Sequence, residues 1–136
     1  MDSLQHLSIS FYRHLGYLFY AIAASDGTVM LKEFEVLKTR VKTNWLDIDK
    51  TQDDYGEDAG FQIEIVFDWA DYQKLSSKQA FVKFKEFYLD HYQLFTKDIK
   101  GLIWRTAKDI AHVFYGPNKS ELVILSKLKA LLAKEF

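Results

Sequence analysis

Apolar residues recur at every third or fourth position along most of this chain, and that spacing predicts helices. Leu4, Leu7, Phe11, Leu15, Leu18 and Ile22 form one such series and predict a first helix over about 4–24. Phe34, Leu37 and Val41 repeat the spacing, giving a second helix over about 31–44. The stretch FQIEIVFDW, 61–69, fits two patterns. Phe61, Ile63, Ile65, Phe67 and Trp69 alternate as in a strand, whereas Phe61, Ile65, Trp69 and Tyr72 share one helical face. No partner strand is visible elsewhere, and a lone strand leaves its backbone groups unpaired, so helix is the favoured reading.

Further along, Ser76 and Gln79 stand at capping-box spacing ahead of an aromatic stripe, Phe81, Phe84, Tyr88, Tyr92 and Phe95. Thr96 is placed to cap the next helix, whose apolar side is Ile99, Leu102, Ile103, Thr106, Ile110 and Val113. Gly101 falls inside that helix and is read as a point of close approach by a neighbour. Gly116-Pro117 breaks the chain, Asn118 and Glu121 suit a fresh helix start, and Leu122, Leu125, Leu128 and Leu132 finish the last helix. Only one proline and six glycines interrupt 136 residues, so the prediction is an all-α, single-domain bundle of about six helices over 1–136. The exception to the short links is 45–60, WLDIDKTQDDYGEDAG, an acidic loop.

Composition narrows the functions. Apolar residues make up 49% and aromatics 16%, which argues against disorder. A net charge of -1 gives no electrostatic case for nucleic acid, even though Lys78, Lys83, Lys85, Lys97 and Lys100 interleave with aromatics. There is no cysteine, which excludes disulfides and thiolate metal sites. The N-terminus lacks a basic start and a clean apolar core, so neither a signal peptide nor a membrane span is expected, and the cytoplasm is the expected location.

Two segments echo each other: ASDGTVMLKEFEVLKTRV and FYGPNKSELVILSKLKAL. Each has a glycine turn, a glutamate followed by an apolar residue, and a leucine three further on. Glu33-Phe34 and Leu37 correspond to Glu121-Leu122 and Leu125, giving two loosely repeated helical hairpins. At these residues the chain resembles the TerB-like family, the tellurite-resistance protein B domain also found at the start of the membrane-anchored co-chaperone DjlA. Ala24, Asp26, Gly27, Val29, Glu33 and Leu37 match the family's signature between two helices. The likeness is clearest over about 15–44 and looser over about 99–134. Three features depart from it: Met30 replaces the polar residue that starts the second helix, Tyr115 stands where the second hairpin would repeat the Asp, and the 45–60 loop is long.

The resemblance implies a helical bundle and a setting in tellurite or other chemical stress, phage defence or membrane-linked complexes, with acidic residues proposed to bind divalent metal. The residues themselves leave two readings of the corner open. Asp26 before Gly27 suits a tight turn, and a glutamate near a helix start is favoured by the helix dipole. If the hairpins pack together, Asp26, Glu33 and Glu121 form a carboxylate cluster suited to Ca²⁺ or Mg²⁺.

Other chemistry is thin. Asp47, Asp49 and Asp53 resemble an EF-hand only superficially, since Gln52 and Asp58 occupy the positions of its glycine and glutamate. His6, His14, His91 and His112 form no HxxxH or HExxH. Asp68 and Asp71 are three apart, as solvated helix faces often are. No nucleophile motif, P-loop or dinucleotide fingerprint occurs, so no enzyme is expected. The aromatics around 61–95 exceed what a small bundle must bury, and the excess is expected on two sides of the 76–95 helix as a partner groove or dimer face. The expectation is a non-catalytic adaptor or sensor that binds a protein partner. The alternatives are a metal-dependent enzyme on the same carboxylates and a structural, self-associating domain.

Overall fold

The computed structural model describes residues 8–46, 48, 52, 56–113 and 118–134. Six α-helices follow in order: α1 (Ile9–Ala23), α2 (Leu31–Arg40), α3 (Gln62–Tyr72), α4 (Ser77–Asp90), α5 (Lys97–Ala111) and α6 (Lys119–Leu132). Among the described residues the only bridge pairing is an isolated one between Gln52 and Asp58, and no strand forms. The stretch 61–69 is therefore helical.

α1 organises the rest. Ten of its fifteen residues are buried, and a helix that is apolar nearly all round belongs in the centre. It touches all five other helices, most extensively α3 and α4. A glycine makes the α3 crossing possible. A Cβ on Gly16 would stand 2.7 Å from the Ile63 carbonyl oxygen and 2.8 Å from Val66 Cβ, so only hydrogen fits there. Gly101 has no such neighbour: an added Cβ would meet nothing nearer than the Arg105 guanidinium at 4.0 Å, which corrects the close approach expected there.

The helix starts follow the expected chemistry. Ser8, Ser76, Thr96 and Asn118 each accept a hydrogen bond from the backbone three residues on. α2 continues into a π-helical turn, Val41–Trp45, which sets the Trp45 ring in the core. There its indole N–H donates to the Thr106 hydroxyl at 3.1 Å, so the polar edge of a fully buried ring is satisfied.

Two faces differ from expectation. α3 buries Gln62, Ile63, Val66, Phe67 and Ala70, whereas Trp69 is 47% and Tyr72 81% exposed beside exposed Ile65. Much of the aromatic excess thus sits on α3, not on the 76–95 helix. That helix ends at Asp90, and a 3₁₀ turn, Tyr92–Leu94, brings Phe95 back into the core. Leu122 faces out of α6, whose buried side is Ile124, Leu125, Leu128, Leu131 and Leu132.

Within the acidic loop, Asp58 accepts from the Gly60 amide at 2.9 Å and caps a buried 3₁₀ turn, Ala59–Phe61. Asp47, Asp49, Asp53 and Asp54 lie outside the described residues, as do Leu4, His6, Leu7, Tyr115, Gly116 and Pro117. Among the described residues no helix is long and apolar enough to cross a membrane.

Candidate functional site

The chain turns sharply where α1 ends. The Gly27 amide donates to the Ala24 carbonyl at 2.9 Å, and Gly27 takes φ +98°, a conformation that favours glycine. A Cβ on Gly27 would meet nothing within 4 Å, so backbone torsion alone makes glycine necessary. Asp26 Oδ1 accepts from the Thr28 amide at 3.3 Å, closing the Asx turn the dipeptide predicts. Its second oxygen, Oδ2, accepts from Asn118 Nδ2 at 3.1 Å, linking the first hairpin to the start of α6.

The two echoing glutamates hold equivalent positions. Glu33 is the third residue of α2, and Glu121 is the third of α6. Each reaches back to the amide that precedes its own helix: Glu33 Oε1 accepts from Met30 N at 2.8 Å, and Glu121 Oε1 from Asn118 N at 3.0 Å. The Asn118 side chain completes its box by accepting from Glu121 N at 2.8 Å. Met30 makes no side-chain cap bond, so the departure seen in the sequence leaves α2 with half a box.

Packing then brings the two hairpins together. Asp26, Met30, Glu33, Ile110, Ala111, Val113, Asn118 and Glu121 line one pocket of about 170 Å³. Glu33 is only 5% exposed and Glu121 6%. Their carboxyl groups are in hydrogen-bonding contact, and no lysine or arginine lines the pocket. Glu33 is pushed up from 4.5 to about 8. Burial is the main cause, and the charges of Glu121 and Asp26 and the Glu121 hydrogen bond add to it, against the pull of the Met30 amide. Two adjoining buried carboxyls cannot both ionise cheaply, so Glu33 keeps its proton at neutral pH and donates it across the pair.

The sequence thus identifies the three acids, and the fold gathers them at one pocket. It does not make them a ready ligand shell. Among the described residues no group of three His, Cys, Asp or Glu side chains is arranged to hold a metal ion. Both oxygens of Asp26 are already engaged, with Thr28 and with Asn118. What the sequence reading missed is the closing wall, Ile110 and Ala111 at the end of α5 and Val113 just beyond, which supplies the desolvation. Ile110 and Val113 are legible in the sequence as apolar positions of that helix, but no local signal places them beside the acids.

None of the described histidines, His14, His91 and His112, lines this pocket. His14 and His91 stack on the Phe87 ring, each with centroids 4.3 Å away, and His112 Nδ1 lies 2.6 Å from the Lys108 carbonyl. His14 is lowered from its ordinary value, chiefly by burial.

A second concavity, about 700 Å³, opens between α4 and α6. Its lining includes Phe81, Val82, Val123, Ile124 and Leu131, with Lys78, Lys85, Lys127 and Lys134 along the rims. No family model matches the chain, and no curated protein or solved structure does.

Proposed function

We propose that this domain is a non-catalytic adaptor or sensor of TerB-like type, which binds a protein partner and takes a divalent cation at the Asp26–Glu33–Glu121 corner. The observation that carries the reading is the buried pairing of Glu33 with Glu121 at equivalent positions of two hairpins. The match of Ala24, Asp26, Gly27, Val29, Glu33 and Leu37 to the family signature supports the same assignment. A bacterial stress-response setting comes with that resemblance.

The chemistry of the cation follows from the donors. Carboxylate oxygens suit Ca²⁺ or Mg²⁺. A bound cation displaces the proton from Glu33, and Asp26 reaches it by releasing Asn118. Cation uptake is therefore a change of contacts at the joint between the hairpins, as a sensor requires. The small pocket favours this over catalysis. At about 170 Å³ it is well below the roughly 300–1,000 Å³ of ordinary small-molecule sites, and its remaining wall is aliphatic. The competing reading of self-association draws on one observation, the exposed Ile65, Trp69 and Tyr72 stripe on α3.

The test is thermal unfolding of EDTA-treated protein with Ca²⁺, Mg²⁺, Mn²⁺ or Zn²⁺ added back. A cation that binds only the folded state adds about 2.7 kcal/mol at a hundredfold excess over Kd. The expected result is a saturable rise with one of the hard cations that disappears in Glu33→Gln. Flat curves to millimolar metal sink the cation reading, and a Tm that rises with protein concentration favours self-association.

A further inference from the structure

The groove between α4 and α6 has a consistent construction. On α4 it is lined by Ser77 at the helix start and by Lys78, Phe81, Val82 and Lys85, the last four spaced i, i+3, i+4, i+7. On α6 it is lined by Ser120, Val123, Ile124, Lys127, Ala130 and Leu131, which continue the same spacing, and Lys134 follows just past the end of that helix. Each wall is therefore mainly one helical face with an apolar floor, flanked by lysines. The two helices start at the same end. Ser77 donates to the Ala21 carbonyl at 2.6 Å and Asn118 to Asp26 at 3.1 Å, so both beginnings are tied to the end of α1.

Three features say what the groove accepts. Its lining contains four lysines and no carboxylate, and among the described residues none of the four has an ion-pair partner. Its apolar surface stays open: Val123 is 56% exposed, beside exposed Val82. Near the end of α1, Ser25 also lines the groove, with its hydroxyl buried and without a hydrogen-bond partner among the described residues. From Ser120 to Leu131 the α6 wall runs about 17 Å, the length of roughly three helical turns.

We infer that this groove binds an amphipathic, acidic α-helix of a protein partner, with the apolar face of that helix laid on Val82, Val123 and Ile124 and its carboxylates met by Lys78, Lys85, Lys127 and Lys134. Helix-in-groove recognition needs an apolar floor that takes anchors at i, i+3, i+4 and i+7, and both walls carry that period. The lysines give the sign and the steering, and their aliphatic stems extend the floor. The inference rests on the adaptor reading only in taking the occupant to be a protein. It involves neither the carboxylate pair nor metal, so the two fail separately.

The probe is a synthetic eighteen-residue peptide with leucines on one helical face and glutamates flanking them. Its control carries lysine for every glutamate. Each is titrated in EDTA into isotopically labelled full-length protein and followed by amide NMR shifts. The expected result is saturable shifts at Ser25, Val82, Val123 and Lys127 with the acidic peptide, at least tenfold weaker binding with the basic one, and weakening as salt rises. Lys85→Glu with Lys127→Glu reduces the affinity at least tenfold, as does Val123→Asp, while each variant keeps the wild-type spectrum elsewhere. Equal binding of both peptides, or shifts confined to the α3 stripe, overturns the inference. So does a groove that ignores the peptide but co-sediments, through the same lysines, with phosphatidylserine-containing vesicles and not with phosphatidylcholine ones, since its occupant is then a membrane surface.

Discussion

Ser25 and Asp26 are neighbours in the chain, yet they line different concavities. So do Ser120 and Glu121. One side of this joint is a small acidic pocket, closed by Ile110 and Ala111, where carboxyl groups face each other without a cation. The other is a wide groove with four lysines at its edges and apolar surface in the open. The difference shows how burial decides what charge does. In the closed pocket, desolvation turns a glutamate into a proton holder at neutral pH. Along the open groove, exposed lysines stand at the edges and act as a field for an incoming partner.

The comparison predicts unequal responses to the same kind of substitution. Ile110→Asp sets a further carboxylate into the closed pocket and is expected to cost more than about 3 kcal/mol, because an unpaired buried charge must be desolvated or neutralised. Val123→Asp on the groove wall is expected to cost less than about 0.5 kcal/mol. Urea unfolding measures both. Similar losses at the two sites break the contrast between closed and open.

Next in size is the pH effect at Glu33. Its folded value, about 8, lies above the ordinary 4.5, so the folded state holds the extra proton between those limits. Stability from this group is full below about 4.5 and is lost as pH rises toward 8. The slope reaches at most about 1.4 kcal/mol per pH unit for one such group. Glu33→Gln keeps an acceptor for the Met30 amide and cannot ionise. It is expected to match wild type near pH 4 and, between pH 5 and pH 8, to gain on it by roughly 3 kcal/mol. Parallel stability curves for the two proteins contradict this.

A smaller effect separates the hairpins themselves. Asn118 completes its capping box and Met30 does not. Met30→Ser supplies the missing acceptor at an exposed position and is expected to stabilise by about 1 kcal/mol, whereas Asn118→Ala loses about as much. The smallest change is expected at the groove rim, where Lys127→Glu leaves stability within about 0.5 kcal/mol while weakening binding of the acidic peptide.

Local signals carry a good part of this architecture. The caps at Ser76, Thr96 and Asn118 and the Asp-Gly corner are chemistry between near neighbours in sequence and stand where the pattern places them. The helix period finds the six helices but not every end or face: Ser8 caps α1 at Ile9, α4 stops at Asp90, and Ile65, Trp69 and Tyr72 face out of α3. Asp26, Glu33 and Glu121 are legible through the echo, because a repeated hairpin that packs on itself brings equivalent residues together. Partners distant in sequence are not legible in this way. Gly16 and Gly101 look alike as glycines inside helices, and only the fold reveals that Ile63 and Val66 lie against the first and open space against the second. The aromatic face of 61–72 matches either side of α3 until Gly16 fixes which side faces α1. The groove escapes a sequence reading because its lysines come from helices about forty residues apart. The most conspicuous lysine run divides in the fold: Lys78 and Lys85 line the groove, whereas Lys83 and Lys100 lie over the Tyr17 and Tyr88 rings, away from it.

The most direct test of the carboxylate pair is the titration of the Glu33 side chain in the folded, metal-free protein, followed by its carboxyl carbon NMR shift from pH 3 to 10. A midpoint near 8 that falls when Glu121 is replaced by glutamine confirms two hairpins joined through a shared proton. A midpoint near the ordinary 4.5, indifferent to Glu121, contradicts it and leaves the corner as a turn and nothing more.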